Sequence, residues 1–101
     1  MLNYNAVQNG LYTSRHPTGQ KFVEGFHRDG KEEGIWTTWY ESGQKTFEGC
    51  FKGGKKEGVW RAWHPNGQPW YEGRYLNGQQ EGLWQWWHAN GQTWGSATAQ
   101  N

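Results

Sequence analysis

At 101 residues and a net charge of +1, from ten basic and nine acidic side chains, the chain suits one domain with no charge excess for nucleic acid, an anionic membrane or mimicry of DNA. Mean hydropathy is −1.17, yet nine Trp, five Tyr and four Phe make the chain 18% aromatic, which a disordered chain is not. One cysteine excludes an intrachain disulfide framework, and no run approaches the roughly 20 apolar residues of a membrane span.

Little Leu, Ile or Val is present, so apolar area is concentrated in rings that each bury about 150–250 Å². That favours a thin structure, with rings lying across backbone, over a thick core. The opening Met1-Leu2-Asn3-Tyr4-Asn5 shows neither a basic nor an apolar leader segment, and a cytoplasmic location is expected. Residues 1–9 lack the pattern that follows and read as an N-terminal cap.

From Gly10 the chain repeats with a period of 24 residues. The units are 10–33, 34–57, 58–81 and 82–95. Gly10, Gly34, Gly58 and Gly82 form one column, Gly19, Gly43, Gly67 and Gly91 a second, Gly25, Gly49 and Gly73 a third, and Gly30, Gly54 and Gly78 a fourth. Tyr12, Trp36, Trp60 and Trp84 align. So do Trp39, Trp63 and Trp87, with Arg15 breaking that column in the first copy.

Each unit predicts two strands. The first ends in a turn at Thr18-Gly19, Ser42-Gly43, Asn66-Gly67 or Asn90-Gly91. The second ends in one at Asp29-Gly30, Gly53-Gly54 or Asn77-Gly78. Asn-Gly and Asp-Gly suit two-residue turns, whose central residues need positive φ. Such turns fix the register. They place Trp60 opposite Gly73, Gly58 opposite Tyr75, Arg61 opposite Glu72, Ala62 opposite Tyr71 and Trp63 opposite Trp70. They also place Trp36 opposite Gly49, Gly34 opposite Phe51, Tyr71 opposite Trp84, Arg74 opposite Glu81, and Gly73 opposite Gly82. Large rings then lie on bare backbone, Trp60 on Gly73 and Tyr75 on Gly58.

Alternation puts Trp36, Trp60 and Trp84 on one face with Phe47, Phe51, Tyr71 and Tyr75. Ile35, Val59, Leu83, Trp39, Trp63, Trp70 and Trp87 fall on the other. The fold class expected is all-β, a single elongated twisted antiparallel meander of about eight strands, low in contact order and quasi-one-dimensional. After Trp94 the pattern fades, and residues 96–101 are expected to fray.

At these residues the chain resembles MORN-repeat proteins, in the bacterial MORN-2 variant. The carrying motifs are Glu33-Gly34-Ile35-Trp36, Trp39-Tyr40, Ser42-Gly43-Gln44, Glu48-Gly49-Cys50-Phe51 and Gly54-Lys55-Lys56-Glu57-Gly58, recurring over Glu57–Gln79 and Glu81–Gln92. The resemblance spans residues 9–94 and implies elongated antiparallel hairpins without intrinsic catalysis. Many bacterial relatives carry an antitoxin label of the YwqK kind, and eukaryotic relatives act in scaffolding or membrane apposition. Repeat families share fold more reliably than partner.

Candidate chemistry is sparse. Glu24, Glu48, Glu72, Glu33, Glu57 and Glu81 recur with the repeat, whereas a catalytic pair is needed once, so cross-strand pairing and turn bonding are expected of them. His16, His64 and His88, with Tyr40 between, are spaced about 9–10 Å apart at two strand separations, too far to share one zinc ion. His27 stands where Phe51 and Tyr75 stand in later copies. Cys50 has Glu57 as cross-strand neighbour and no His or Asn pattern beside it, and reads as a small inert side chain. Lys52-Gly53-Gly54-Lys55-Lys56 lacks the Gly-Lys-Ser/Thr ending and helix of a phosphate loop. No cofactor or metal is expected.

The aromatic faces carry the functional expectation. Trp36, Trp60 and Trp84, with Gly49, Gly58 and Gly73, are assigned to the repeat itself. A single-layer sheet cannot bury every remaining ring, and exposed apolar area marks a contact surface. Trp63, Trp70, Trp86, Trp87 and Trp94 are the candidate partner-binding residues. Trp86 is singled out because Thr38 and Ala62 fill its place in earlier copies. The expected partner is another protein, a toxin or a target complex, bound in an antitoxin- or inhibitor-like manner. A glycan or choline binder using Trp stacking is the alternative, followed by lipid-surface attachment, and self-association stays open.

Overall fold

The computed structural model describes residues 9–99. The expected cap, apart from Asn9, and residues 100 and 101 lie outside them. Eight strands form one antiparallel sheet in sequence order: β1 (Gly10–Arg15), β2 (Lys21–Arg28), β3 (Lys31–Trp39), β4 (Lys45–Lys52), β5 (Lys55–Trp63), β6 (Pro69–Leu76), β7 (Gln79–Trp87) and β8 (Thr93–Ala99). The extents are 47 × 36 × 16 Å and the radius of gyration is 15.3 Å. A compact domain of this length would have about 13 Å, so the molecule is an open, extended sheet, as the repeat predicts.

The two turn types are chemically distinct. Between β2 and β3, β4 and β5, and β6 and β7, Asp29-Gly30, Gly53-Gly54 and Asn77-Gly78 all have positive φ, and Asp29 and Asn77 at 53° and 52° are the non-glycine cases. These are the expected two-residue turns. The other turns are longer than predicted. In the β5–β6 loop His64 N–H donates to Gln68 O at 2.8 Å and Gly67 N–H to His64 O at 2.9 Å, and Gly67 alone has positive φ. That is a three-residue loop ending on a left-handed glycine. The same bonds recur at His16, Tyr40 and His88.

This changes the register near the loop. Trp63 pairs with Pro69, not Trp70, while Ala62 still pairs with Tyr71, so Trp70 is an extra, bulged residue. Phe22, Thr46 and Trp94 hold the same bulge position on β2, β4 and β8. Deeper in the β3–β4 and β5–β6 hairpins the predicted pairs form, among them Trp36 with Gly49, Gly34 with Phe51, Gly58 with Tyr75, Trp60 with Gly73 and Arg61 with Glu72.

Between repeats a second irregularity appears. Arg74 pairs with Glu81 as predicted, but Glu72 pairs with Gln85 and Tyr71 with Trp86, which replaces the expected Tyr71–Trp84 and Gly73–Gly82 pairs. Gly82-Leu83-Trp84 therefore bulges opposite Gly73, made possible by φ 69° at Gly82. Gly34-Ile35-Trp36 and Gly58-Val59-Trp60 do the same opposite Gly25 and Gly49.

Each bulge presses its indole back onto the preceding repeat. A Cβ on Gly25, Gly49 or Gly73 would collide with Trp36, Trp60 or Trp84 respectively. Trp60 therefore covers Gly49 rather than Gly73, its register partner. Tyr75 does not cover Gly58, above which space is open. The core is this indole column with Ala62; Trp36, Trp60 and Trp84 are only 8%, 4% and 4% exposed.

His27, Phe51 and Tyr75 wedge edge-on between successive rings of the Tyr12, Trp36, Trp60 and Trp84 column, from His27–Trp36 at 4.9 Å through Phe51–Trp60 at 5.1 Å to Tyr75–Trp84 at 5.2 Å. Edge-to-face pairs of this kind contribute about 0.5–1.5 kcal/mol each beyond their burial. Trp36 and Trp60 donate their indole N–H to Phe26 O and Cys50 O. His27 thus takes an aromatic's place in the ladder.

Residues 96–99, expected to fray, complete β8 instead, with Ser96 opposite Gln85 and Ala99 opposite Gly82. Backbone pairing satisfies β7 without needing large side chains on β8. At Ala97, the position of Gly25, Gly49 and Gly73, a Cβ occupies the space an indole from a following strand would need.

Candidate functional site

The recurrent polar residues are spent on the sheet. Glu24 accepts from Thr13 and Lys21, Glu48 from Thr37 and Lys45, and Glu72 pairs with Arg61. Lys21 and then Thr13 hold the Glu24 carboxyl below its usual range. Burial raises that of Glu48, but the bonds from Lys45 and Thr37 outweigh it and the net shift is downward. Glu33 and Glu57 accept the Gly53 and Asn77 N–H groups, fastening the second and third two-residue turns to the previous repeat, and Asn9 Oδ1 accepts from Asp29 N–H at the first.

The His16, Tyr40 and His64 column is a ladder of donors. His16 Nε2, Tyr40 Oη and His64 Nε2 each lie 2.8 Å from the carbonyl of Trp39, Trp63 and Trp87, one repeat on. A carbonyl only accepts, so each histidine carries its proton on Nε2. Among the described residues no three His, Cys, Asp or Glu side chains gather as a metal site would need.

The five candidate tryptophans divide between two clefts. Trp70, Trp86 and Trp94 converge at the loop end of β6–β8, where they line an open cleft of about 350 Å³ with His64, Trp87, His88 and Ala89. The bulges cause the convergence. In a regular strand Trp70 and Tyr71 would point to opposite faces, yet their rings lie 5.3 Å apart. The extra residue thus moves Trp70 off the face of Trp63, where alternation placed it, onto the face of the indole column.

His64 packs on Trp70 at 5.5 Å and His88 on Trp94 at 6.5 Å. Trp86 forms the floor, 6.5 Å from Trp84 and 6.0 Å from Trp94. Tyr71 borders this group, its phenol pushed up first by burial and then by Tyr75. Trp70 is 42% exposed and Trp94 62%. No Asp, Glu, Lys or Arg lines the cleft, and residues 82–101 contain none.

Trp63 and Trp87 border a second cleft of about 400 Å³ with Arg61, Glu72 and Gln85. Trp63 has an intramolecular role, since Lys45, tied to Glu48, lies over its ring at 5.8 Å, as Lys21 lies over Trp39 at 5.7 Å. Pro69 stands in the lysine column next to Trp87. Sequence reasoning missed His64, His88 and Ala89 as lining. The signal was their place at the loop, next to the bulge position. The column Leu11, Ile35, Val59 and Leu83, the middle residues of the Gly-x-Tyr/Trp triplets, is exposed as well.

The comparisons with known proteins bear on the repeat. The family model described as MORN repeat variant matches three times, over residues 32–52, 56–77 and 80–101, more than half of the chain. The hairpin β1–β2 precedes these matches and carries the largest departures, Tyr12, Arg15 and His27. Neither a curated protein nor a solved structure matches. With three copies of its repeat matched and the Gly-x-Trp bulge built in each, the chain belongs to the MORN repeat variant family.

Proposed function

We propose that this chain is a non-enzymatic protein-binding repeat module that occupies its partner, in an antitoxin- or inhibitor-like manner, through the Trp70–Trp86–Trp94 end of its aromatic face. One observation carries the reading. Three indoles from three strands meet in one cleft, at positions where other copies have Phe22 or Thr46 on the bulge column and Thr38 or Ala62 in place of Trp86, so the repeat does not require an indole at any of them. Buried aromatic anchors in a pocket are what protein interfaces concentrate their energy on.

The test is comparative capture. Immobilised wild-type protein, Trp94→Ala and Trp63→Ala are exposed to an extract of the native host, and retained proteins are identified by mass spectrometry. A specific protein held by wild type and Trp63→Ala but lost by Trp94→Ala is the expected result. A protein set that does not depend on Trp94 refutes the site.

The exposure of Trp94 also favours a stacking platform for sugar rings or choline. Against it, the cleft offers no carboxylate to a cation and no acidic, amide or guanidinium group to sugar hydroxyls. Tryptophan fluorescence during titration with oligosaccharides and choline separates this reading from the first. Lipid-surface attachment has less support, because no basic patch accompanies the rings.

A further inference from the structure

Resting on that protein-binding reading, we propose that the Trp70–Trp86–Trp94 cleft takes a proline-rich segment of the partner in the polyproline II conformation, running across the strands. Trp70 on β6 and Trp94 on β8 are equivalent bulge residues two strands apart, about 9.4–9.8 Å at 4.7–4.9 Å per strand. A polyproline II helix repeats every three residues, about 9.3 Å at 3.1 Å each. Successive turns of such a helix therefore meet successive ridges. Each ridge is a ring pair, His64 with Trp70 and His88 with Trp94, and Trp86 floors the gap between them.

The lining carries no Asp, Glu, Lys or Arg, and neither does the loop Trp63–Trp70 or the whole of 82–101. An uncharged segment fits this surface, whereas a phosphopeptide would find no counter-charge. The indoles whose N–H groups bond within the described molecule are Trp36 and Trp60 of the core column. An indole N–H is a donor only, and the carbonyls of polyproline II have no internal partners competing for it. A preformed, stiff ligand also loses little entropy on docking, which suits a shallow cleft of this size.

The experiment titrates the whole chain with synthetic decaproline, followed by tryptophan fluorescence and calorimetry. A Gly-Ser peptide of equal length, cellohexaose and choline serve as comparisons. Saturable decaproline binding is expected, with a dissociation constant on the order of 10⁻⁴ M for so small a contact. Trp70→Ala and Trp94→Ala should each weaken it by about tenfold or more, the scale of an interface anchor. Trp63→Ala should leave it unchanged. Trp94 is mostly exposed, so its variant keeps the fold, and thermal melts of all three variants verify this.

Absence of saturable binding, equal binding of the Gly-Ser peptide, or binding indifferent to Trp94→Ala overturns the proposal. If decaproline is silent while a protein is still captured through Trp94, the polyproline inference falls and the protein-binding reading stands. Saturable cellohexaose or choline binding lost in Trp94→Ala overturns both.

Discussion

Substituting Gly49 by alanine tests the contact on which the fold is built. Gly49 pairs with Trp36 of β3, faces the Gly58-Val59-Trp60 bulge on its other side and has no positive φ, so alanine adds no backbone strain there. The cost is steric alone. The new Cβ would fall below 3.0 Å from Cγ, Cδ2 and Cε2 of Trp60, closer than real Cβ atoms come. The indole must then leave a site where it is 4% exposed. The expected loss approaches that of deleting the ring, about 3–5 kcal/mol for a buried aromatic truncated to alanine.

A double-mutant cycle gives the reasoning its edge. In a Trp60→Ala background the clash is gone, and Gly49→Ala should stabilise by about 0.5–1 kcal/mol, the usual penalty of glycine within a strand. Gly58→Ala is the control. Its φ is 77° with nothing within 4 Å of the added Cβ, so it should cost about 1–2 kcal/mol from backbone conformation, with or without Trp60. Urea unfolding followed by far-ultraviolet circular dichroism supplies the free energies. If Gly49→Ala and Trp60→Ala add to within about 0.5 kcal/mol, the ring-on-glycine account is wrong.

Asn77 and Asn66 both precede glycine but serve different turns. Asn77→Gly should be near neutral and Asn77→Ala should cost about 1–2 kcal/mol, since φ is 52°. At Asn66 both changes should cost about 0.5–1.5 kcal/mol, through lost bonds to Ala89 O and Gln68 N. Glu48 sets a pH dependence. Its folded pKa is depressed, so its contribution is fully present above the unfolded value near 4.5 and is lost as pH falls through the folded value. Glu48→Gln should flatten that acid limb in urea titrations from neutral pH downward, and an unchanged limb would assign the dependence elsewhere. Trp94→Ala should leave the melting temperature within a few degrees of wild type. Trp86→Ala, half-buried against Trp84, should cost about 1–2 kcal/mol as a partial cavity, more than the near-neutral change its irregular place in the repeat suggests.

Period and glycine columns were enough to read the meander, the two-residue turns and the pairs around Trp60. What they could not show was direction. A register partner is a backbone neighbour, and Trp60 is indeed level with Gly73, but its ring lies on Gly49 because Gly58 at positive φ opens a bulge behind it. Nothing in alternation by twos signals a bulge until glycine is read as a conformation rather than as a space. The same blindness put Trp70 on the wrong face. The Asn66-Gly67 pair looks like a two-residue turn, and Pro65 before it was the clue to a longer one. Pro is favoured at the second position of a type I turn, and its missing N–H is spared there. Of the five candidate tryptophans, Trp70, Trp86 and Trp94 come together, while Trp63 is packed under Lys45 and Trp87 borders both clefts.

The cleft lies at one end of the sheet because the demands of the repeat relax there. In the first three copies the bulge and lysine columns are Phe22 with Lys21, Thr46 with Lys45, and Trp70 with Pro69; the fourth has Trp94 with Thr93. Lysines that cover Trp39 and Trp63 thus give way to residues that leave Trp87 bare of a cation, while the bulge column turns to indole. On β8 Ser96 replaces the carboxylate column and Ala97 the glycine column, so β8 is not built to receive the indole of a following strand as β6 receives Trp84. Trp70 and Trp94 touch only the neighbouring rings of the cleft and stay 42% and 62% exposed, on a surface without charged side chains. A core ring needs its glycine and a surface ring needs its lysine. Trp70 and Trp94 have neither, and that is the physical ground on which their contact with a partner is proposed.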